Sequence, residues 1–109
     1  MKKSQHLIMA ALLVSGCVSA YAQGKGDAAK GKDVFEQCSV CHNADSTEKK
    51  MGPGLKGLFK KGKLDSSGKP ANDANVLEKI NEGGNGMPAY KDMLTADEKA
   101  NLLAYLKTL

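Results

Sequence analysis

The sequence contains neither tryptophan nor arginine in its 109 residues, and it has only two phenylalanines and three tyrosines. Arginine is the usual reader of phosphates and guanine edges, so its absence argues against a nucleic-acid partner despite a formal net charge of +4. A small chain with so few aromatic side chains buries too little apolar surface for a stable core of its own. The only long apolar run covers residues 7–14 and is too short to span a bilayer.

That apolar run instead predicts export from the cytoplasm. It follows a basic start, Lys2-Lys3, and precedes Ala20-Tyr21-Ala22, which has the A-x-A pattern of a signal-peptidase site. We therefore expect residues 1–22 to be a signal peptide and residues 23–109 to form one small mature domain, soluble in the periplasm.

A competing interpretation involves Cys17. Residues 14–17, Val-Ser-Gly-Cys, resemble the lipobox of bacterial lipoproteins, in which cleavage precedes the cysteine and its thiol is lipidated. Cys17 is also the odd one of three cysteines, and an odd cysteine in an exported chain needs an explanation. Two interpretations stay open: Cys17 is discarded with the signal peptide, or it carries a lipid anchor on the membrane facing the periplasm.

The other two cysteines belong to the segment Cys38-Ser39-Val40-Cys41-His42, whose C-x-x-C-H pattern is the motif of covalent haem attachment. The two thiols add to the two vinyl groups of a haem, and the adjacent imidazole binds the iron from one face. We therefore predict one covalent haem c per chain, attached at Cys38 and Cys41 with His42 as an iron ligand. This large apolar group would replace the missing core.

Other uses of the same residues are weaker. A structural zinc ion needs four protein ligands, whereas the motif supplies three and the only other histidine is His6. A thioredoxin-like redox pair requires a neighbouring strand–helix unit, and no β-rich run lies nearby. A disulfide between Cys38 and Cys41 would close a small loop of little stabilising value.

The remaining pattern predicts an all-α domain of three helices joined by long loops. The first helix is expected from Ala28 to about Gln37, after Asp27 as N-cap. The second is expected over 74–82, capped by Asn72 or Asp73.

The third helix has the clearest start, because Thr95 and Glu98 form a capping-box pattern. Residues 43–73 have the composition of a long loop, with a turn of helix expected at 55–59. A loop of this length is acceptable here because it can wrap a haem.

The order of these motifs resembles the short, bacterial class I cytochromes c. The haem motif is followed by Gly52-Pro53-Gly54-Leu55, by Met87-Pro88 in a glycine-rich loop and by a C-terminal amphipathic helix. The resemblance covers nearly all of 23–109 and implies a small class I cytochrome c fold around the haem. It also implies a close crossing of the first and last helices at Gly31, Phe35, Leu102 and Tyr105.

The resemblance further implies the iron's surroundings. Met87 matches the sixth ligand, and the carbonyl of Pro53 matches the acceptor of the hydrogen bond that the other ring nitrogen of His42 donates. Met51 lies on the side of the proximal loop, and we expect Met93 to pack beneath the last helix. Many relatives hold the haem propionates with tryptophan or arginine, which this chain lacks. Tyr90, Asn85 or a lysine is left for that role.

With His42 and Met87 both bound, the iron has no position for a substrate, and the resemblance implies a one-electron carrier rather than an enzyme. We expect a monomer that passes electrons between redox proteins outside the cytoplasm, docking through a lysine-rich face. The alternative is a haem c peroxidase-like or gas-sensing domain with a labile sixth ligand. The lysines of the expected face are Lys49, Lys50, Lys56, Lys60, Lys61 and Lys63.

Overall fold

Three α-helices, one short 3₁₀ turn and long loops make up residues 26–109, the part of the chain that the computed structural model describes. The predicted signal peptide 1–22, Cys17 and the expected mature start at Gln23 lie outside the described residues. Within 26–109 there are no strands, only two isolated β-bridges, so the all-α prediction is confirmed. No helix in this range has the length and apolar character needed to cross a membrane.

Helix α1 spans Ala28–Phe35. Asp27 caps it as predicted, since its carboxylate accepts the backbone N–H of Ala29 at 2.8 Å. The helix ends at Phe35 rather than near Gln37, because the backbone tightens there: the N–H of Cys38 donates to the carbonyl of Phe35, only three residues back, at 2.7 Å. The prediction of a longer helix was therefore wrong by two residues.

Helix α2 spans Asp73–Glu82 and begins one residue earlier than predicted. Of the two candidate caps, Asn72 is the one used, and its side-chain oxygen accepts the N–H of Asn75 at 2.9 Å. Asp73 lies instead in the first turn, where its charge suits the positive end of the helix dipole. Gly83 ends the helix with a φ of 64°.

Helix α3 spans Ala96–Leu106, and the predicted capping box is present. The Thr95 hydroxyl accepts the N–H of Glu98 at 3.1 Å, and the Glu98 carboxylate accepts the N–H of Thr95 at 3.0 Å. The predicted turn in the long loop is a 3₁₀ turn at Leu58–Lys60.

Helices α1 and α3 cross in close contact, as expected. A β-carbon on Gly31 would overlap the carbonyl oxygen of Asn101, so only glycine permits this approach. The rings of Phe35 and Tyr105 pack with centroids 5.3 Å apart, and Leu102 is 2% exposed. This crossing fixes the end of α1, and hence the position at which the cysteine motif begins.

Candidate functional site

One cavity of about 550 Å³ brings the predicted site residues together. Cys38, Cys41 and His42 line it from the turn after α1, Pro53 from the long loop, and Met87 from the loop after α2. These segments are far apart in the sequence and meet only through the fold.

The cavity lies at the centre of the hydrophobic core. Of the eight buried hydrophobic side chains within residues 26–109, all except Leu94 line it. A protein interior is normally close-packed, so a space of this size among core side chains is expected to hold a group. An apolar lining with a few convergent polar atoms is typical of a small-molecule or cofactor site. The space, the two thiols and the imidazole fit a covalently bound haem.

The haem motif forms a tight turn that directs both cysteines to the cavity. The N–H of Cys41 and that of His42 both donate to the carbonyl of Cys38, at 3.1 and 2.9 Å. Cys38 and Cys41 are half-buried free thiols. Burial, and then the neighbouring Cys41, raise the pKa of Cys38. The Cys38 thiol is therefore protonated at neutral pH.

The imidazole of His42 is oriented by the long loop. Its Nδ1 lies 2.8 Å from the carbonyl oxygen of Pro53, the residue expected to accept this hydrogen bond. With Nδ1 donating there, Nε2 is the nitrogen left to act as a ligand. The backbone fixes the loop in turn, since the N–H of Gly52 donates to the carbonyl of Cys41 at 2.8 Å.

Gly52 has a structural role that the sequence analysis did not identify. A β-carbon there would lie 2.5 Å from Cε1 of His42 and 2.9 Å from Nδ1. The glycine therefore leaves the space that the imidazole occupies. The Gly-Pro-Gly pattern indicated a turn, but only the folded loop shows which side chain it lies against.

Met87 follows a two-residue β-turn. Asn85 and Gly86 have φ values of 53° and 89°, and backbone hydrogen bonds of 2.9 and 3.1 Å join Gly84 to Met87. The N–H of Tyr90 donates to the carbonyl of Ile80 at 2.9 Å, which fastens the far end of the loop to α2. Met87 is thus presented to the cavity by a loop held at both ends.

The other two described methionines lie differently. Met51 also lines the cavity, but beside the cysteines: it is 79% exposed, and its Sδ is 3.9 Å from Sγ of Cys41, on the same loop as Pro53. Met93 is 62% exposed, so the prediction that it packs beneath the last helix was wrong. The neighbouring Leu94 takes the buried position instead, with its N–H bonded to the carbonyl of Tyr90.

Tyr90 is buried against the cavity, with 8% of its surface exposed. Burial raises the pKa of its phenol. Its hydroxyl therefore stays neutral at physiological pH.

The family model for cytochrome c matches residues 28–109. This chain belongs to the cytochrome c family. More specifically it is a class I c-type cytochrome, and as such it binds one covalently attached haem c.

Relatives of known name agree with this assignment. The chain is 32% identical to a cytochrome c2 from Agrobacterium tumefaciens, over 69% of this chain and 68% of that one. It is 34% identical to a cytochrome c6 from Rippkaea orientalis, over 74% of this chain and 69% of that one. It is also 33% identical to a cytochrome bc1 complex cytochrome c subunit from Corynebacterium diphtheriae, over 75% of this chain but only 27% of that longer protein.

Solved structures share the fold. Cytochrome cH from Methylobacterium extorquens superimposes with a TM-score of 0.57 at 26% identity, over 77% of this chain and all of that one. Cytochrome c6 from the diatom Phaeodactylum tricornutum superimposes with a TM-score of 0.56 at 25% identity, over 76% of this chain and 93% of that one.

Proposed function

We propose that this cytochrome is a one-electron carrier whose haem is attached at Cys38 and Cys41 and whose iron is bound by His42 and Met87. The observation that supports this assignment is the single apolar cavity that all four side chains line. The haem supplies the exchange of one electron between ferrous and ferric iron. The protein residues attach it, orient its ligands and exclude water.

Cys38 and Cys41 act as the attachment residues. Each thiol would hold the haem by adding across a vinyl double bond, with its sulfur bonded to one vinyl carbon and its hydrogen transferred to the neighbouring one. Two thioether bonds would hold the cofactor permanently. Permanent attachment suits this protein, because its hydrophobic core surrounds the cavity that the cofactor would fill.

His42 and Met87 are the residues that would bind the haem iron. His42 presents Nε2 because Pro53 accepts the hydrogen bond from Nδ1. The soft thioether of Met87 favours the ferrous state and raises the reduction potential. A loop that is fastened at both ends keeps Met87 in position, so the coordination sphere stays closed to other ligands.

The surface beside the cysteines suits docking of an acidic redox protein. Val40 is 70% exposed and Met51 79% exposed, which places apolar surface next to Cys41. Lys49 lies on the same loop, and the ammonium of Lys50 donates to the carbonyl of Ser39 at 3.1 Å. An apolar centre with flanking cations is the arrangement that steers and then holds an acidic partner.

The named relatives are consistent with two settings for this carrier: a free cytochrome, or the cytochrome subunit of a larger complex. The cytochrome c2 from Agrobacterium tumefaciens and the cytochrome c6 are matched over 68% and 69% of their length, whereas the bc1 complex subunits are longer proteins of which this chain matches about a quarter. We propose a free carrier, exported by the signal in residues 1–22. Co-purification with a membrane complex would instead show a tethered electron-transfer subunit.

Optical spectra of the natively made protein test the proposal. We expect a ferric protein with the weak far-red band of thioether-bound iron, and a ferrous protein whose spectrum does not change when carbon monoxide is added. Rapid binding of carbon monoxide or cyanide would instead support the peroxidase-like or gas-sensing alternative, because both require an open or labile sixth position.

A further inference from the structure

We propose that Lys61, Lys63 and Lys79 form the binding site for the two haem propionates. The sequence contains no arginine or tryptophan that could bind them instead. We call these three residues the lysine rim. The inference rests on the proposed haem site, because it assumes that the macrocycle occupies the cavity with its vinyl edge at Cys38 and Cys41.

The charges around the cavity support this assignment. Among the described residues 26–109, and apart from the haem motif and the buried phenol of Tyr90, the ionisable residues that line the cavity are four lysines and a single aspartate, Asp65. An otherwise apolar cavity with an excess of ammonium groups has the electrostatics of a site for an apolar group that carries anionic ends. A haem with two carboxylates has this character.

The cofactor's geometry selects which lysines are involved. The propionates project from the edge of the macrocycle opposite the vinyl groups, so they emerge at a part of the lining that contains neither cysteine. Lys49 belongs to the cysteine edge, because it is two residues from Met51, whose Sδ lies 3.9 Å from Sγ of Cys41. The lysine rim supplies the other cations.

The rim is continuous from the loop of residues 61–66 to helix α2. Ser66 and Lys79 line the cavity together and also share a small adjoining depression, so the loop of residues 61–66 meets α2 at this point. The ammonium of Lys79 donates to the carbonyl of Gly83 at 3.1 Å, which holds it at the start of the Met87 loop. Asn85 lines the cavity from that same loop and can add a neutral donor.

Two cations of the rim, Lys61 and Lys79, are positioned by contacts and still have free donors. The ammonium of Lys61 lies 3.5 Å from the Asp65 carboxylate, and its side chain is 28% exposed, against 51% for Lys69 and 44% for Lys107 in the other surface ion pairs. Lys79 forms no ion pair within residues 26–109. An ammonium has three N–H donors, so Lys61 and Lys79 can each bind a carboxylate and keep their present contacts.

The rim has a predictable effect on the iron. Cations near the haem disfavour the ferric state, which carries the extra positive charge, and so they raise the reduction potential. They also lower the pKa of a propionate that they bind, because they stabilise its charged form. We therefore expect the propionates of the wild-type protein to stay ionised and its reduction potential to change little with pH in the neutral range.

The test compares the reduction potential, as a function of pH, of the holoprotein and of Lys61→Gln, Lys79→Gln and the double variant. We expect each single change to lower the potential at pH 7. We expect the double variant to show a potential that falls as pH rises through the neutral range, because a propionate now titrates there. Lys79→Arg keeps the positive charge, so it should show the wild-type potential at each pH. Asp65→Asn should raise the potential, because Lys61 loses the carboxylate that competes with the propionate.

The matched control is Lys107→Gln, which removes a lysine from an ion pair with Asp73 outside the cavity lining. If the rim variants and this control give the same potential and pH profile, the inference is wrong. All variants are checked for attached haem and for the ferric thioether band. A wild-type protein without attached haem or without the ferric thioether band would contradict the proposed function. Rim variants that keep the haem and the band and have the wild-type potential would contradict only the propionate site.

Discussion

The Nδ1 of His42 lies 2.8 Å from the carbonyl oxygen of Pro53, and this hydrogen bond joins the haem motif to the loop that follows it. The same loop is held by two backbone bonds, from the N–H of Gly52 to the carbonyl of Cys41 at 2.8 Å and from the N–H of Leu55 to the carbonyl of Asn43 at 2.7 Å. The orientation of the imidazole is therefore a property of the whole loop.

The first prediction concerns Gly52→Ala. The new methyl group would lie 2.5 Å from Cε1 of His42, and the imidazole or the loop must move. We expect a loss of about 1–3 kcal/mol in the free energy of unfolding, which urea titration measures. We also expect a change in the reduction potential and in the ferric spectrum, since the ligand is displaced.

The control for this variant is Gly57→Ala. Gly57 has a φ of 71° and open space around its β-position, so alanine there should cost about 1 kcal/mol of backbone strain. It should leave the spectrum and the potential unchanged. A Gly52→Ala protein that behaves like this control would show that the glycine does not position His42.

The second prediction concerns Gly31→Ala. Helix propensity alone favours alanine by about 1 kcal/mol, whereas the added methyl group would overlap the Asn101 carbonyl. We expect packing to dominate, with a net loss of at least about 2 kcal/mol in the free energy of unfolding. Lys30→Ala, an exposed change on the same helix, should stay within about 0.5 kcal/mol of the wild type. A stabilised Gly31→Ala protein would contradict the close crossing.

Local patterns made much of the fold predictable. The capping box at Thr95 and the cap at Asp27 depend on neighbouring residues only, and both are present. The end of α1 was placed two residues too late because Glu36 and Gln37 are compatible with a helix, and the tightening at Phe35 comes from the turn that carries the cysteines.

Positions that depend on distant contacts were not predictable in the same way. Met93 and Leu94 are adjacent apolar residues in a turn without helical periodicity, so the sequence does not show which of them faces inward. Gly52 contacts an imidazole ten residues away, and no local pattern encodes that contact. The turn before Met87 had a usable signal, because Asn85-Gly86 is the preferred pair for a tight hairpin.

The third prediction concerns attachment. Cys38→Ala or Cys41→Ala should largely abolish holoprotein, because the loss of one thioether weakens both cofactor retention and the fold around it. Haem staining after denaturing electrophoresis and intact mass measure the loss. Ser39→Ala is the matched control between the two cysteines: it removes only the hydroxyl that donates to the Glu36 carbonyl at 2.6 Å, and it should retain its haem. A folded wild-type chain without haem would contradict the proposal.

The fourth prediction concerns the N-terminus. We expect the exported protein to begin at Gln23 and to be soluble without detergent, because Ala20-Tyr21-Ala22 provides the cleavage site. Intact mass of the natively made protein reports the N-terminus and the attached haem together. Recovery of an N-terminal, diacylated Cys17 in the membrane fraction would replace this prediction with the lipid-anchored alternative.

The last prediction concerns the sixth ligand. Met87→Ala should retain its haem, because both cysteines and His42 are unchanged. It should lose the far-red band of thioether-bound ferric iron, and its reduction potential should fall because water, hydroxide or a lysine is a harder ligand than sulfur. It should also gain affinity for cyanide and carbon monoxide and some peroxidase activity, as the position becomes open or labile.

Two matched substitutions separate this ligand role from the general loss of a methionine. Met51→Leu and Met93→Leu change side chains that are 79% and 62% exposed, so both proteins should keep the wild-type spectrum, potential and closed coordination. Met87 is the methionine that the turn at Asn85-Gly86 presents to the cavity from the loop after α2. A Met87→Ala protein with the wild-type spectrum and potential would therefore contradict both the ligand assignment and the function proposed for that loop.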